Sequence, residues 1–296
     1  MNVLEALNAY IKKSGQSQNA IAKAMGVSAA ALSQYIKQKY PGDILALETK
    51  IAQFLNLSYD REVYPQAEIG YIETSVCRSI NETARNCHIG KRIGIVTGES
   101  GLGKTTAAKH YAESYSDVLI IFGRPSITVK SILKEIARKV FVDPTGGVDD
   151  VFMRIVSKLK DSGRLLIIDE AEHLTARVLD QIRRFNDPEF AGIGLLLIGL
   201  PKLLHTLKNS QNDHKYIYSR VGWNTTVNTL TDSDCEQFVS RALPGSGSLW
   251  RTFAESSRRN ARALCNLIER SIEIASFNGC AIDAALVKKT AQILIS

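Results

Sequence analysis

The sequence predicts an α/β fold, a parallel sheet flanked by helices, placed between two all-helical segments, and three observations predict it. From residue 92 onward, short runs rich in Ile, Val and Leu alternate with amphipathic stretches, the pattern of strands buried on both faces and the helices that cover them. Before that point the apolar residues recur at helical spacing. Beyond Leu230 the strand-like runs stop and only helical patterns remain.

Residues 1–60 are rich in Ala, Gln and Leu and read as a small all-α domain. Within it, Gln18–Met25 forms one helix, Gly26-Val27 a tight turn, and Ser28–Lys37 a second helix capped by Ser28, which is helix-turn-helix spacing. Ile21, Ala22, Met25, Val27, Leu32 and Ile36 supply the shared core, leaving Ala29, Ala30, Ser33, Gln34 and Lys37 free to face a groove. A helical hairpin used for protein contacts is the alternative. Residues 61–90, with Tyr64-Pro65, serve as linker and flanking helix. In the core, residues 91–229, strands are expected at Arg92–Thr97, Val118–Phe122, Leu165–Asp169, Ile193–Ile198 and Trp223–Asn228. Helices beginning near Asp232, Ser248, Asn260 and Asp283 make residues 230–296 a C-terminal helical lid.

The 37 Lys and Arg outweigh the 30 Asp and Glu, a net charge of +7 that favours an anionic partner. The cysteines (Cys77, Cys87, Cys235, Cys265, Cys280) are scattered, odd in number and without a C-x-x-C pair, which argues against a disulfide framework or a zinc site. No run approaches the ~20 apolar residues that span a bilayer. Met1–Tyr10 reads as an amphipathic helix rather than a secretory signal. The expected home is a reducing bacterial cytoplasm, with no membrane partner.

After the first strand comes Gly98-Glu99-Ser100-Gly101-Leu102-Gly103-Lys104-Thr105, a phosphate-binding P-loop in its required strand-loop-helix context. Its glycines let backbone N–H groups and a helix N-terminus face the oxygens of ATP. Lys104 is placed to reach the β- and γ-phosphates, the Thr105 hydroxyl to sit on Mg²⁺, and Thr106 to continue the phosphate-facing turn. About sixty residues on, Leu165-Leu166-Ile167-Ile168 delivers Asp169 and Glu170 at a strand's C-terminal end, where ligands of open α/β sheets bind. Asp169 is the expected Mg²⁺ partner and Glu170 the group that orients or deprotonates the attacking water. His173 has no partner at metal-ligand spacing and reads as structural.

These features, together with Gln18–Asp43, Tyr71-Ile72-Glu73-Thr74, Asp169-Glu170-Ala171-Glu172-His173-Leu174 and Tyr218-Ser219-Arg220 in that order, give a chain that resembles the transposition protein B-like AAA+ ATPases, the target-selection ATPase family of DNA transposition. The resemblance implies a P-loop AAA+ core and ATP buried between subunits, with Arg220 as the finger that reaches a neighbour's γ-phosphate. It further implies that Arg262 senses nucleotide from the lid, although Arg258 and Arg259 lie close by. Tyr71 and Ile72 pack either against adenine or within a linker helix. One departure stands out: where the family ends its fourth strand with a polar residue that positions water, this chain has Leu200.

The implied function is a DNA-binding ATPase that forms a homo-oligomeric filament on duplex DNA with ATP, recruits or stimulates a transposase, and is released by slow hydrolysis. Ser28, Ser33, Gln34, Lys37 and Lys39 in the first domain are the candidate DNA contacts. Lys130, Lys134, Arg138, Arg183, Arg184 and Lys202 are candidates in the core by local basicity. A replication loader or initiator, or an ATP-controlled operator-binding regulator, are the rival readings.

Overall fold

The computed structural model describes residues 2–63, 69–209 and 220–294, so Tyr64-Pro65 and Tyr218-Ser219 lie outside the described residues. The chain divides into two compact units, residues 1–67 with 272–281, and residues 68–271 with 282–296.

The first unit holds helices α1 (Val3–Ser14), α2 (Gln18–Ala24), α3 (Ala29–Ile36) and α4 (Ile44–Val63). Their starts are written in side chains. Asn2 and Glu5 close a capping box on α1, Ser17 accepts the Ala20 N–H at 3.2 Å, and Ser28 accepts the Ala31 N–H at 3.1 Å. Between α2 and α3 the chain reverses at Gly26, whose φ of 65° lies in the left-handed region that glycine adopts without a Cβ penalty. Leu7, Ile21, Ala22, Leu32, Tyr35, Leu47 and Ile51 form the core, with Met25, Val27 and Ile36 half-buried around it. Tyr35, absent from the expected core, is buried because its hydroxyl donates to Glu48 at 2.7 Å. Burial, aided by that carboxylate, pushes its pKa up to about 12.

The second unit is built on five parallel strands: β1 (Ile93–Thr97), β2 (Val118–Phe122), β3 (Leu165–Asp169), β4 (Gly194–Gly199) and β5 (Val221–Thr226), in spatial order β2-β3-β4-β1-β5. Helices α5 (Ser75–Gly90), α6 (Lys104–Ser114), α7 (Val129–Lys139), α8 (Val148–Leu159), α9 (Ala176–Arg183) and α10 (Pro201–Asn209) connect and cover them. One face of the sheet packs Ile93, Ile121, Ile168 and Leu197 against Ile132, Phe152, Ile155 and Phe185. Each such side chain contributes on the order of 1.5–3 kcal/mol by leaving water. β1, β3 and β4 are buried throughout, which is why their apolar runs are unbroken. β5 starts two residues earlier than the sequence suggests. Among the described residues it pairs only with β1, and it exposes Gly222, Trp223 and Asn224, so no apolar run marks it.

After β5 come α11 (Asp232–Ala242), α12 (Trp250–Ser256), α13 (Ala261–Asn278) and α14 (Ala284–Ile293), close to the four expected starts. Among the described residues no helix is long and apolar enough to cross a membrane. Asp234, with no exposed surface, ties α11 to α5. It accepts the Ser75 N–H at 2.8 Å, the Ser75 hydroxyl at 2.5 Å and the Thr231 N–H at 2.9 Å. Burial disfavours the charged carboxylate, but these bonds outweigh it and hold the pKa below its usual range. A depressed pKa gives stability that is present above the unfolded value, near pH 4, and is lost as pH falls through the folded one. Asp234→Ala should therefore cost roughly 3 kcal/mol at pH 7, because buried donors lose their acceptor. Denaturant melts should show the gap from wild type narrowing below about pH 4; a constant gap would mean that the ionised form is not what is stabilised.

Candidate functional site

Parallel strands direct their C-terminal ends to one edge, and there the loop of residues 98–103 carries the chain from β1 into α6. Gly101 and Gly103 have φ of 80° and 90°, the turn that aims successive N–H groups at a common point ahead of the helix N-terminus. Lys104 folds back over this cradle, its Nζ donating to Gly98 O at 2.8 Å and Glu99 O at 2.7 Å. Burial pulls its pKa down, and Glu172, Asp169 and Glu99 oppose that pull in that order.

β3, the strand between β2 and β4, brings Asp169 to the same edge with 1% of its surface exposed. Its Oδ1 accepts the Glu170 N–H at 3.0 Å, while Oδ2 is buried and meets no hydrogen-bond partner among the described residues. A buried carboxylate oxygen without a donor beside it suits a hard cation, and the Thr105 hydroxyl lines the same cavity, so the residues fit a magnesium ion. Glu170 takes the left-handed conformation, φ 54°, which turns the chain out of the strand and leaves its side chain exposed at the cavity. That turn presses its carbonyl against Gly123, where a Cβ would come within 2.3 Å of Glu170 O.

The cavity, about 550 Å³, is closed on one side by the start of α13. Asn260 donates from Nδ2 to Ser100 O at 2.7 Å, and the Arg262 N–H donates to Gly101 O at 2.9 Å. Of the three neighbouring arginines, Arg262 lines the cavity, its Nη1 lying 3.4 Å from Ser100 Oγ. Arg259 is held by Asp232 at 2.8 Å instead. The apolar end holds Tyr71, Ile72, Cys77, Phe238 and Cys265. Tyr71 and Ile72 therefore both reach the cavity. The Tyr71 ring stacks on His110, centroids 3.8 Å apart, and its carbonyl accepts from Arg241 at 2.7 Å. Nothing in the sequence marked Cys77, Phe238, Cys265 or Asn260, which come together only through the fold. His173 lines the cavity half-buried.

Arg220 does not line this cavity. It precedes β5, and the register pairs Val221 with Ile93, the first residue of β1. A strand's length, roughly 17 Å, thus separates it from the phosphate loop that follows β1. There it is exposed and ion-paired with Asp187. Two core residues expected to meet DNA have other work. Arg183 bridges Asp180 at 2.8 Å and Asp187 at 3.2 Å with 18% of its side chain exposed, and Arg184 lies over the rings of Phe152 and Phe190. Local basicity alone does not assign these two to DNA, because guanidinium groups pair with carboxylates and pack on aromatic faces as readily as they meet phosphate. Lys130, Arg138 and Lys202 are exposed and Lys134 is half-buried.

A family described as AAA domain matches residues 87–207. The chain is 31% identical over 242 residues to the Mu-like prophage FluMu DNA transposition protein B of Haemophilus influenzae, spanning 80% of this chain and 83% of that one. It is 27% identical over 218 residues to the ATP-dependent target DNA activator B of Escherichia phage Mu, spanning 72% and 69%. The ORC2 protein of Aeropyrum pernix superposes with a TM-score of 0.58 at 17% identity, over 80% of this chain and 72% of that one. A RuvB variant of Thermotoga maritima gives 0.52 at 18% identity, over 78% and 73%. At these identities the two structures speak to the fold.

The contact between Gly123 and Glu170 gives a direct test of the site. Gly123→Ala should displace the Glu170 backbone, lowering nucleotide turnover by about tenfold or more and the melting temperature by several degrees, on the order expected for overpacking. Steady-state phosphate release and a thermal melt check this; normal turnover would show that the Glu170 conformation is not needed.

Proposed function

Since the chain belongs to the transposition protein B family of AAA ATPases, we propose that it binds duplex DNA as an ATP-dependent homo-oligomer, presents that DNA to a transposase, and lets go on hydrolysis. The observation that carries this reading is the convergence of Lys104, Thr105, Asp169, Glu170 and Arg262 on one cavity at the sheet edge. The name of the phage Mu relative, a target DNA activator dependent on ATP, supports the DNA part, and that of the Haemophilus influenzae relative, a DNA transposition protein, supports the transposition part.

When the triphosphate enters, the N–H groups of the loop and the N-terminus of α6 face its oxygens, and Lys104 exchanges the carbonyls of Gly98 and Glu99 for phosphate. Thr105 and Asp169 would hold Mg²⁺, which supplies positive charge against the phosphates. Glu170 orients the attacking water and accepts its proton. The water oxygen bonds to the γ-phosphorus, the bond from that phosphorus to the bridging oxygen breaks, and ADP leaves with the electron pair. Arg262 meets the phosphates from the lid. Arg220, too far from its own loop, serves the nucleotide of a neighbouring subunit, so assembly depends on the γ-phosphate.

In the first unit, Ser28, Gln34, Lys37 and Lys39 are exposed and Ser33 is half-buried along α3 and its ends. Small residues at Ala29 and Ala30 let the helix approach a groove, where Gln34 meets base edges and the lysines meet phosphate. With Gln34 as its one base-reading side chain and few basic residues beside it, this surface reads sequence weakly. Removing Lys37 and Lys39 together should flatten the salt dependence of DNA binding by about two in log K against log salt. Anisotropy titrations over a salt series check this, and an unchanged slope removes both lysines from the DNA interface.

The decisive experiment is negative-stain electron microscopy on random-sequence duplex DNA with ATP, a non-hydrolysable analogue or ADP. Filaments are expected with the first two and not with ADP; rings or isolated dimers at discrete sites would overturn the filament reading. Glu170→Gln should bind ATP yet lose turnover by about a hundredfold or more and hold the assembled state. Arg220→Ala should keep monomer nucleotide affinity within about threefold while assembly weakens. Loss of monomer affinity instead would assign the guanidinium to its own subunit's site.

A further inference from the structure

The end of β4 lies beside the phosphate site, and the next residue, Leu200, lines the cavity with a side chain that has no hydrogen-bonding atom. A carboxylate reaches this place from the adjacent strand. Glu172 sits in the 3-10 turn Ala171–His173 after β3, and its Oε2 accepts the Leu200 N–H at 3.2 Å. The same oxygen fills the space above Gly199, where a Cβ would stand 2.4 Å from it. The backbone of β4 is thus shaped around Glu172 rather than around a side chain of its own. Glu172 also lines the cavity together with Asp169, Glu170 and Lys104, and among the carboxylates it exerts the strongest pull on the Lys104 ammonium.

We propose that Glu172 takes over at the end of β4 the role of orienting the attacking water. Its Oε2 is fixed by the Leu200 amide, which leaves the second carboxylate oxygen to accept one O–H of the water while Glu170 accepts the other. Two acceptors on one water direct its lone pair at the γ-phosphorus, and the proton still passes to Glu170. Lys104 offsets the added negative charge, which otherwise would oppose the entry of a triphosphate. Sequence spacing alone does not reveal this, because Glu172 belongs to the loop of β3 and serves β4.

The proposal rests on the phosphate-site reading, and its test keeps the two apart. Wild type, Glu172→Gln, Glu172→Ala and Glu172→Ala combined with Leu200→Asn are compared for kcat, for affinity toward a fluorescent ATP analogue and for melting temperature. Glu172→Ala should lose about a hundredfold in kcat, the scale of a group that handles water in the transition state, with affinity within about threefold of wild type. Glu172→Gln keeps the shape and an acceptor oxygen of weaker basicity and should lose about tenfold. Leu200→Asn in the Glu172→Ala background should recover about tenfold, since its amide oxygen enters the cavity at the same strand end; a merely structural Glu172 predicts no such rescue. A normal kcat for Glu172→Gln, or a loss of nucleotide affinity as large as the loss of turnover, overturns the proposal. Should Glu172→Ala fail to fold, Glu172→Gln decides by the same two readouts. If wild type itself does not bind the analogue, the phosphate-site reading is what has failed.

Discussion

Everything at the catalytic edge depends on a carboxylate held where water barely reaches. Asp169 ends a strand buried along its whole length, and a charge placed so deep is costly unless it is matched. One oxygen is matched by the Glu170 N–H, and the other, without a donor among the described residues, belongs to the cavity that Thr105 also lines, where the proposed cation would match it. The same backbone turn that closes the first bond throws Glu170 into the left-handed region and requires glycine at position 123. Strand burial, the proposed metal site and the proposed water-activating acid therefore share one local backbone solution.

Around that point the phosphate loop is held from both sides. Its carbonyls at Gly98 and Glu99 bind Lys104, and those at Ser100 and Gly101 bind Asn260 and the Arg262 amide. The start of α13 therefore rests on main-chain carbonyls of the loop, while the charged ends of Lys104 and Arg262 are the groups that the proposed mechanism turns toward phosphate. A nucleotide shifts such an arrangement only through contacts that differ between states. In the proposed mechanism the γ-phosphate supplies them, by competing with main-chain carbonyls for the lysine.

Much of this was legible in the sequence wherever chemistry is local. The P-loop, the acidic pair, four strands to within a residue and the starts of the lid helices all follow from runs, caps and glycines that act on near neighbours. β5 was shifted because an edge strand with exposed faces carries no apolar signature. Asn260, Asp234 and Tyr35 escaped notice because each is defined by a partner distant in sequence or one helix away: Ser100 for the first, Ser75 for the second, Glu48 for the third. Glu172 was visible as a letter in the acidic motif, yet its relation to Leu200 exists only after β3 and β4 pair. For Arg183 and Arg184, composition shows charge but not the Asp180, Asp187 and aromatic rings that they meet within the chain.

Arg220 shows how such an absorbed charge remains available. Its guanidinium is paired with Asp187, but half of the side chain, 51%, is exposed, and an exposed pair of this kind is worth only about 0–1 kcal/mol. Leaving Asp187 is also inexpensive for the carboxylate, which keeps Arg183 at 3.2 Å and so is not stranded without a counter-charge. On the proposed reading, a γ-phosphate offered by a neighbouring subunit would present more charge and several acceptor oxygens, enough to win the arginine from this partner. The pair with Asp187 therefore holds Arg220 in a defined place without locking it, which is what the proposed role at a neighbouring subunit's nucleotide requires.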